Sequence, residues 1–328
     1  MQIVNFFRVD VLDIALSSIT FLSLKEKLLL KTNLDSLDKL AVLSKEDICA
    51  FTGRSHVRGI WQPERTVETA LKSERLCRSY GIKALCFTDG AYPELLKHIP
   101  DSPYMIFYRG SAECLYKDCV SVVGTRRINA AGAETALKFS RDAVYGGFTV
   151  VSGLAEGIDS FAHRGSVSPG MNKSAAAVLP CGVDSVVPAS NKALAVEILK
   201  NGGCILSEYI PGTPAEKWRY VQRNRVIAAL SCATVVVQAP PGSGALITAD
   251  FALDYNRELV FCSQGLSVDE KLFSASKGRN GRILKTPGDY LRDGAPVIDN
   301  FADFIQVMND PPGSHVCSKK SQMELFDV

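Results

Sequence analysis

With 328 residues, 46% of them hydrophobic and 22% charged, the chain has the make-up of an ordinary globular protein with room for one large domain and a smaller one. Its formal net charge of +2 excludes a global basic excess, so any nucleic-acid surface has to be a local cluster of Lys and Arg. Ten Cys with no CxxC pair and no zinc-type Cys/His spacing fit reduced thiols, and no segment approaches a membrane-spanning length, so a cytoplasmic protein without metal or cofactor is expected.

Residues 1–80 read as a small helical domain. Leu12, Ala15, Leu16 and Ile19 recur at helical spacing, and the runs LSLKEKLLL, LDSLDKLAVL and ERTVETALKSERLCRSYG follow, broken at Asn33, Ser44 and Gly53. The piece LAVLSKEDICAFTG admits two readings. One is a SAM- or helix-hairpin-helix-like unit that grips DNA backbone; the other is a packing or protein-interaction domain, because the turn lacks Gly-x-Gly. Residues 81–118 contain Pro93, Pro100 and Pro103, which forbid long helices, and read as a connector anchored by Tyr92, Leu95 and Leu96.

From 119 to 308 short apolar runs alternate with helical ones. VSVVG, FTVV, AAAVLP, CILSE, ATVVVQA and ELVFCS read as buried strands, which predicts a Rossmann-like, doubly wound α/β domain with a mostly parallel sheet. The loops after these strands (GTRR, SGLAEGID, CGVDSVVPASN, SE and PPGSGALIT) then line up along one crevice. In FTVVSGLAEGIDSFAH, Gly153 and Gly157 allow close backbone approach to a phosphate, whereas Asp159 fits equally a tight strand-to-helix turn capped by a carboxylate.

Arg126 and Arg127 follow the first of these strands, while Lys217, Arg219, Arg223 and Arg225 crowd one segment with Trp218 and Tyr220 between them. Cations interleaved with aromatics suit single-stranded nucleic acid, phosphates on the charges and bases on the rings. The competing reading makes the aromatics core residues and pairs Arg223 and Arg225 with Glu208 or Asp159.

Taken in order, SVVGTR, SGLAEGIDSFAH, AVLPCGVDSVVPASNKAL, GGCILSE, QRNRVIAALS and SGALITADFAL closely resemble the DNA-processing protein A family, also called DprA or Smf, over about residues 85 to 265. The resemblance implies a homodimeric single-stranded-DNA-binding protein that protects incoming DNA and helps load the RecA recombinase during natural transformation, without catalysis. Departures lie at Val187-Pro188, at Gln238 and at Ser263-Gln264-Gly265, and only twenty residues beyond Met308 stand where relatives carry a winged-helix-like domain.

On these grounds Arg126, Arg127, Arg223 and Arg225 are expected at phosphates, with Gly124, Thr125, Ser152, Gly153, Ser243 and Gly244 supplying N–H or hydroxyl donors. Lys192 extends the basic track, Trp218 stacks a base, and Asn224 reads a base edge or a sugar. Gly157, Asp159 and Glu208 organise the site, and His163, four residues past Asp159, pairs with it. The rival function is hydrolysis of the N-glycosidic bond of nucleoside monophosphates, with Glu208, Arg126 and the PPGSGALIT loop as machinery. A dinucleotide oxidoreductase fits less well, because no GxGxxG follows the first strand. Residues 309–328 read as a flexible tail, in which Gln322, Leu325 and Phe326 form either a sliding-clamp docking peptide or a plain frayed end.

Overall fold

The computed structural model describes residues 9–56, 59–168, 170, 174–266, 276–277 and 283–310. Five helices come first: α1 (Val11–Ser18), α2 (Leu24–Asn33), α3 (Leu37–Ala41), α4 (Lys45–Thr52) and α5 (Pro63–Tyr80). Their starts are written locally. Ser23 with Glu26 and Ser44 with Asp47 form reciprocal capping boxes that satisfy helix N–H groups, and Pro63 opens α5 where no N–H partner is needed.

β1 (Lys83–Cys86), α6 (Glu94–Lys97) and β2 (Met105–Gly110) follow. Then come β3 (Cys119–Gly124), α7 (Ala130–Tyr145), β4 (Thr149–Ser152), α8 (Ile158–Ser166), β5 (Ala175–Val178), α9 (Lys192–Lys200), β6 (Cys204–Ser207) and α10 (Lys217–Ala229). The chain continues through β7 (Ala233–Gln238), α11 (Gly244–Asp254), β8 (Glu258–Cys262), α12 (Ser263–Leu266), β9 (Ser276–Lys277), β10 (Ile283–Leu284), α13 (Pro287–Arg292), β11 (Val297–Ile298) and α14 (Phe301–Asn309).

Nine strands form one sheet in the order β1-β2-β6-β5-β4-β3-β7-β8-β11, and β9 pairs with β10 apart from it. From β6 across to β11 every pairing is parallel; β1 and β2 add antiparallel strands at one edge. The doubly wound, Rossmann-like α/β class read from the apolar strand runs is the one observed. Residues 83–110, read as a connector, instead supply β1 and β2. Their Pro residues lie between the strands, where they cannot interrupt a ladder.

Alternate residues of each strand feed opposite faces. On one face Val120, Val122 and Val150 pack with α7 and α8, and Ala175, Ala177 and Ile205 pack with α9 and with Leu12, Leu16, Leu40 and Ile48 of the first helices. On the other, Val123, Val151, Ala176 and Leu206 meet α10, α11 and α13. The helical start thus shares a core with the sheet, and buried hydrogen bonds from Tyr104 to Asp13 (2.6 Å) and from Ser73 to the Pro211 carbonyl (2.7 Å) tie the two. Phe139, Phe148, Phe301 and Phe304 stack edge to face, which holds α14 against α7.

The winding reverses between β3 and β7. β3 leads through α7 to β4 on one side, whereas β7 leads through α11 to β8 on the other. The two following helices therefore diverge and leave a crevice beyond the strand ends, the place where ligands bind in open α/β sheets.

Candidate functional site

A cleft of about 400 Å3 fills that crevice. Its walls are the loop after β3 (Gly124, Thr125, Arg126, Arg127), Ala155 and Asp159 from the segment after β4, Ser243 and Gly244 at the start of α11, and Tyr220, Arg223 and Asn224 of α10. Three of the five predicted loops converge here. The loop after β5 only leans on the cleft from outside: Ser190 donates to Glu156 (2.9 Å), and Asn191 donates to the Leu154 (2.9 Å) and Ala155 (3.2 Å) carbonyls. Lys192, exposed at the start of α9, lies outside the lining.

The loop carrying Arg126 is braced from below. Thr125 donates its N–H to the Gln238 carbonyl (2.7 Å), its own carbonyl accepts from Ile158 N–H (3.2 Å), and its hydroxyl accepts from Arg127 N–H (3.1 Å). Gly157 makes this contact possible. Its φ of 81° is a left-handed conformation, and a Cβ there would sit 2.2 Å from the Thr125 carbonyl oxygen. Arg126 is exposed, and its guanidinium stands over the Tyr220 ring, 5.1 Å from the centroid. This leaves an exposed cation beside a half-buried aromatic ring at the cleft.

Opposite them, α11 begins without a side-chain cap. The buried Ser243 hydroxyl has no hydrogen-bond partner among the described residues, and Gly244 beside it is exposed. A helix start with uncapped N–H groups and a free hydroxyl favours an anion. Asn224 touches the same turn, donating to the Gly244 carbonyl at 3.1 Å.

Several predicted donors are spent internally. Arg223 is only 3% exposed, and its Nη1 donates to the Gly153 (2.6 Å) and Val178 carbonyls. It is a strut under the cleft and not a surface phosphate contact. Burial pushes its guanidinium below the ordinary range, the nearby Asp159 charge opposing this and Arg126 adding repulsion. A Cβ on Gly153 would lie 2.2 Å from that guanidinium, so a side chain there would push Arg223 out of its place. Gly153 gives its N–H to Asp159 (3.1 Å), and Ser152 gives its hydroxyl to the Val122 carbonyl (2.7 Å); neither is free for phosphate.

Asp159 thus ties the turn after β4 to α8 without capping that helix, and burial raises its pKa despite Arg223. The expected Asp159–His163 hydrogen bond is absent. His163 is fully buried, neither ring nitrogen has a partner of hydrogen-bond geometry among the described residues, and burial pushes its pKa down to about 4. One helical turn separates the two residues, yet the carboxylate turns back to the Gly153 N–H.

Arg225 follows the competing reading. It pairs with Glu208 and donates to the Asp101 carbonyl (2.7 Å), buried on the far side of α10. Glu208 is half-buried beside it, its carboxyl raised by desolvation against the pull of Arg225, and it lines a different cavity from Arg126. Trp218 lines that second cavity as well; Tyr220, two residues on, is the aromatic of the cleft. Tyr220 carries a signal in the sequence, as an aromatic between cations, but only the helix register distinguishes it from Trp218. Gln238 is another residue missed: its side-chain oxygen accepts from Asn129 N–H (3.4 Å), and its carbonyl anchors Thr125. Gln322, Leu325 and Phe326 lie outside the described residues. No helix among those described is long and apolar enough to cross a membrane.

Comparison with known proteins places this arrangement. A family described as DNA recombination-mediator protein A matches residues 83–307. A curated Smf protein of Borreliella burgdorferi is 32% identical over 256 residues, covering 76% of this chain and 80% of its own length. Six further curated relatives are longer in proportion, and the chain spans between 44% and 64% of each. The solved DNA processing protein A of Streptococcus pneumoniae superimposes with a TM-score of 0.66 at 25% identity, over 91% of this chain and 98% of that one. The Helicobacter pylori protein of the same name, solved for its single-stranded DNA binding mode, gives 0.56 at 23% identity over 70% of this chain and 96% of its own. With its profile, its relatives and its sheet in agreement, this chain belongs to the DNA recombination-mediator protein A (DprA/Smf) family.

Proposed function

We propose that the cleft between β3 and β7 binds the sugar-phosphate backbone of single-stranded DNA with one base against Tyr220. The observation that carries this is the exposed Arg126 guanidinium held over the Tyr220 ring, across the cleft from the uncapped start of α11. Phosphate oxygens meet Arg126, Arg127, the Ser243 hydroxyl and the Gly244 N–H; Asn224 meets a sugar or base edge. Arg223 adds fixed positive charge beneath. A pocket for a strand, without a helix poised for the major groove, prefers single strands with little sequence discrimination. The single-stranded DNA binding described for the Helicobacter relative supports the same ligand.

In the cell this reading makes the protein a homodimeric, cytoplasmic mediator that protects incoming single strands and helps load RecA, with no catalytic step. Glycosidic hydrolysis fits the geometry less well. Glu208, the acid it needs, lies in another cavity and is held by Arg225, and the acid at the cleft, Asp159, is buried and engaged by Gly153. Sliding-clamp docking through Gln322, Leu325 and Phe326 remains part of the proposal as a tether. The test is an anisotropy titration with matched single- and double-stranded oligonucleotides at several salt concentrations. Tighter binding of the single strand, weakening steeply with salt, is expected; equal or tighter duplex binding contradicts the reading.

A further inference from the structure

A second cavity is larger than the cleft. It measures about 610 Å3 and lies between α5 of the helical start and the segment from Glu208 to Arg219. On one wall Arg65 and Lys72 stand seven residues apart on α5, about 10 Å along the helix axis. Both are exposed, and neither is in an ion pair among the described residues. On the other wall is Trp218, an indole that is 51% exposed yet held on three sides. Its N–H donates to Glu216 (2.6 Å), its edge meets the Tyr209 ring at 89°, and the Arg219 guanidinium lies 4.8 Å from its centroid.

A large aromatic kept in water but fixed in orientation is a platform with its ordering cost already met. Glu208, at the same cavity, does not cancel the free cations, because Arg225 holds it. Arg219 is itself occupied, with Glu216 and the Pro214 carbonyl. The unspent charge on this wall pair is therefore that of Arg65 and Lys72, at the same cavity as the exposed part of the indole. Two phosphates and one base are the chemistry that set accepts.

Position supplies the link to the cleft. Trp218 and Tyr220 share the first turn of α10, one facing each cavity, with exposed Lys217 in the same turn. The geometry points to a second nucleotide subsite: a single strand leaving the cleft past Tyr220 continues over the start of α10, stacks its next base on Trp218 and lays its phosphates on Arg65 and Lys72. The helical start of the chain then forms one bank of the DNA track. This rests on the cleft reading above.

The experiment compares a labelled thymidine 3′,5′-bisphosphate and a twenty-nucleotide oligothymidylate by anisotropy on the full chain, for wild type, the Arg65→Ala/Lys72→Ala double variant, Trp218→Ala and Arg126→Ala. Arg65 and Lys72 are exposed and free of ion pairs among the described residues, so the double variant keeps the fold. For the long strand, the double variant is expected to lower the log–log salt slope by about 1.4, the value for two single-strand phosphate contacts, and Trp218→Ala to weaken binding roughly 10-fold. The single nucleotide, which fills the cleft alone, keeps its affinity in both. No change for the long strand, or equal losses at both lengths, overturns the subsite. Arg126→Ala reports separately: its failure to weaken either length defeats the cleft reading and leaves the comparison at the groove intact. In a Trp61→Phe background, Trp218 emission identifies the source of the nucleotide. Quenching by the long strand and not by thymidine monophosphate supports the track. Quenching by the monophosphate, with long-strand affinity independent of Arg65 and Lys72, marks a free-nucleotide pocket and overturns it.

Discussion

Replacing Arg126 and Arg223 in turn by Ala separates binding from folding, because the two arginines stand at the same cleft with opposite burial. Arg223→Ala removes the Nη1 donor from the Gly153 and Val178 carbonyls and the positive charge near buried Asp159. Each buried acceptor left unpaired costs about 1–3 kcal/mol, so a total of roughly 3–5 kcal/mol is expected, a large share of the about 5–15 kcal/mol that holds a domain together. Arg126→Ala touches only an exposed ring contact and should stay within about 0.5 kcal/mol of wild type. Urea unfolding measures the first quantity, and oligonucleotide anisotropy against salt measures the second. Arg126→Ala should leave the midpoint in place and lower the single-strand salt slope by about 0.7. If Arg223→Ala instead unfolds at the wild-type midpoint and loses one phosphate contact, the strut assignment is wrong and Arg223 faces the ligand.

Tyr220→Ala should weaken single-strand binding by about 1–3 kcal/mol without changing the salt slope, because a ring carries no counterion; a changed slope would mean that Arg126 had moved with it. Gly157→Ala should destabilise by roughly 1–3 kcal/mol and also weaken binding, since the new methyl forces the Thr125 carbonyl and with it Arg126 out of place; unaltered affinity in urea-stable protein would contradict the bracing role. For His163, the folded state holds the imidazole at about 4 whereas the unfolded chain protonates near 6.5, so between those values the unfolded chain binds more protons. Stability should therefore fall as pH drops from 6.5 toward 4, by up to about 3 kcal/mol, and His163→Leu should flatten the decline; an equal slope in the variant would assign it to other groups.

The sheet was legible because its strands are apolar on both faces, a pattern that only a covered parallel sheet satisfies, and the crevice followed from where the Gly- and Ser-rich loops fall. What the sequence could not show is which way each side chain turns. Arg223 and Arg225 look alike in QRNRVIAALS, yet on α10 they lie about 200° apart, one beneath the cleft and the other against Glu208 and Asp101. The same register sends Tyr220 into the cleft and Trp218 away from it. Ser152 and Gly153 carry the right chemistry for phosphate, but tertiary neighbours claim their donors first. The β1 and β2 strands were hidden by the Pro residues between them, which read as a connector until the edge of the sheet accounts for both.

The central claim is that single-stranded DNA lies in the cleft between β3 and β7 with a base on Tyr220. Photocrosslinking of an oligonucleotide carrying 5-iodouracil, followed by peptide mapping, tests this directly, since the halogenated base couples to the aromatic ring it stacks on. The account predicts a principal adduct at Tyr220 that disappears in Tyr220→Leu. Adducts confined to the opposite end of the sheet or to the Phe139–Phe301 face, unchanged in that variant, would contradict it.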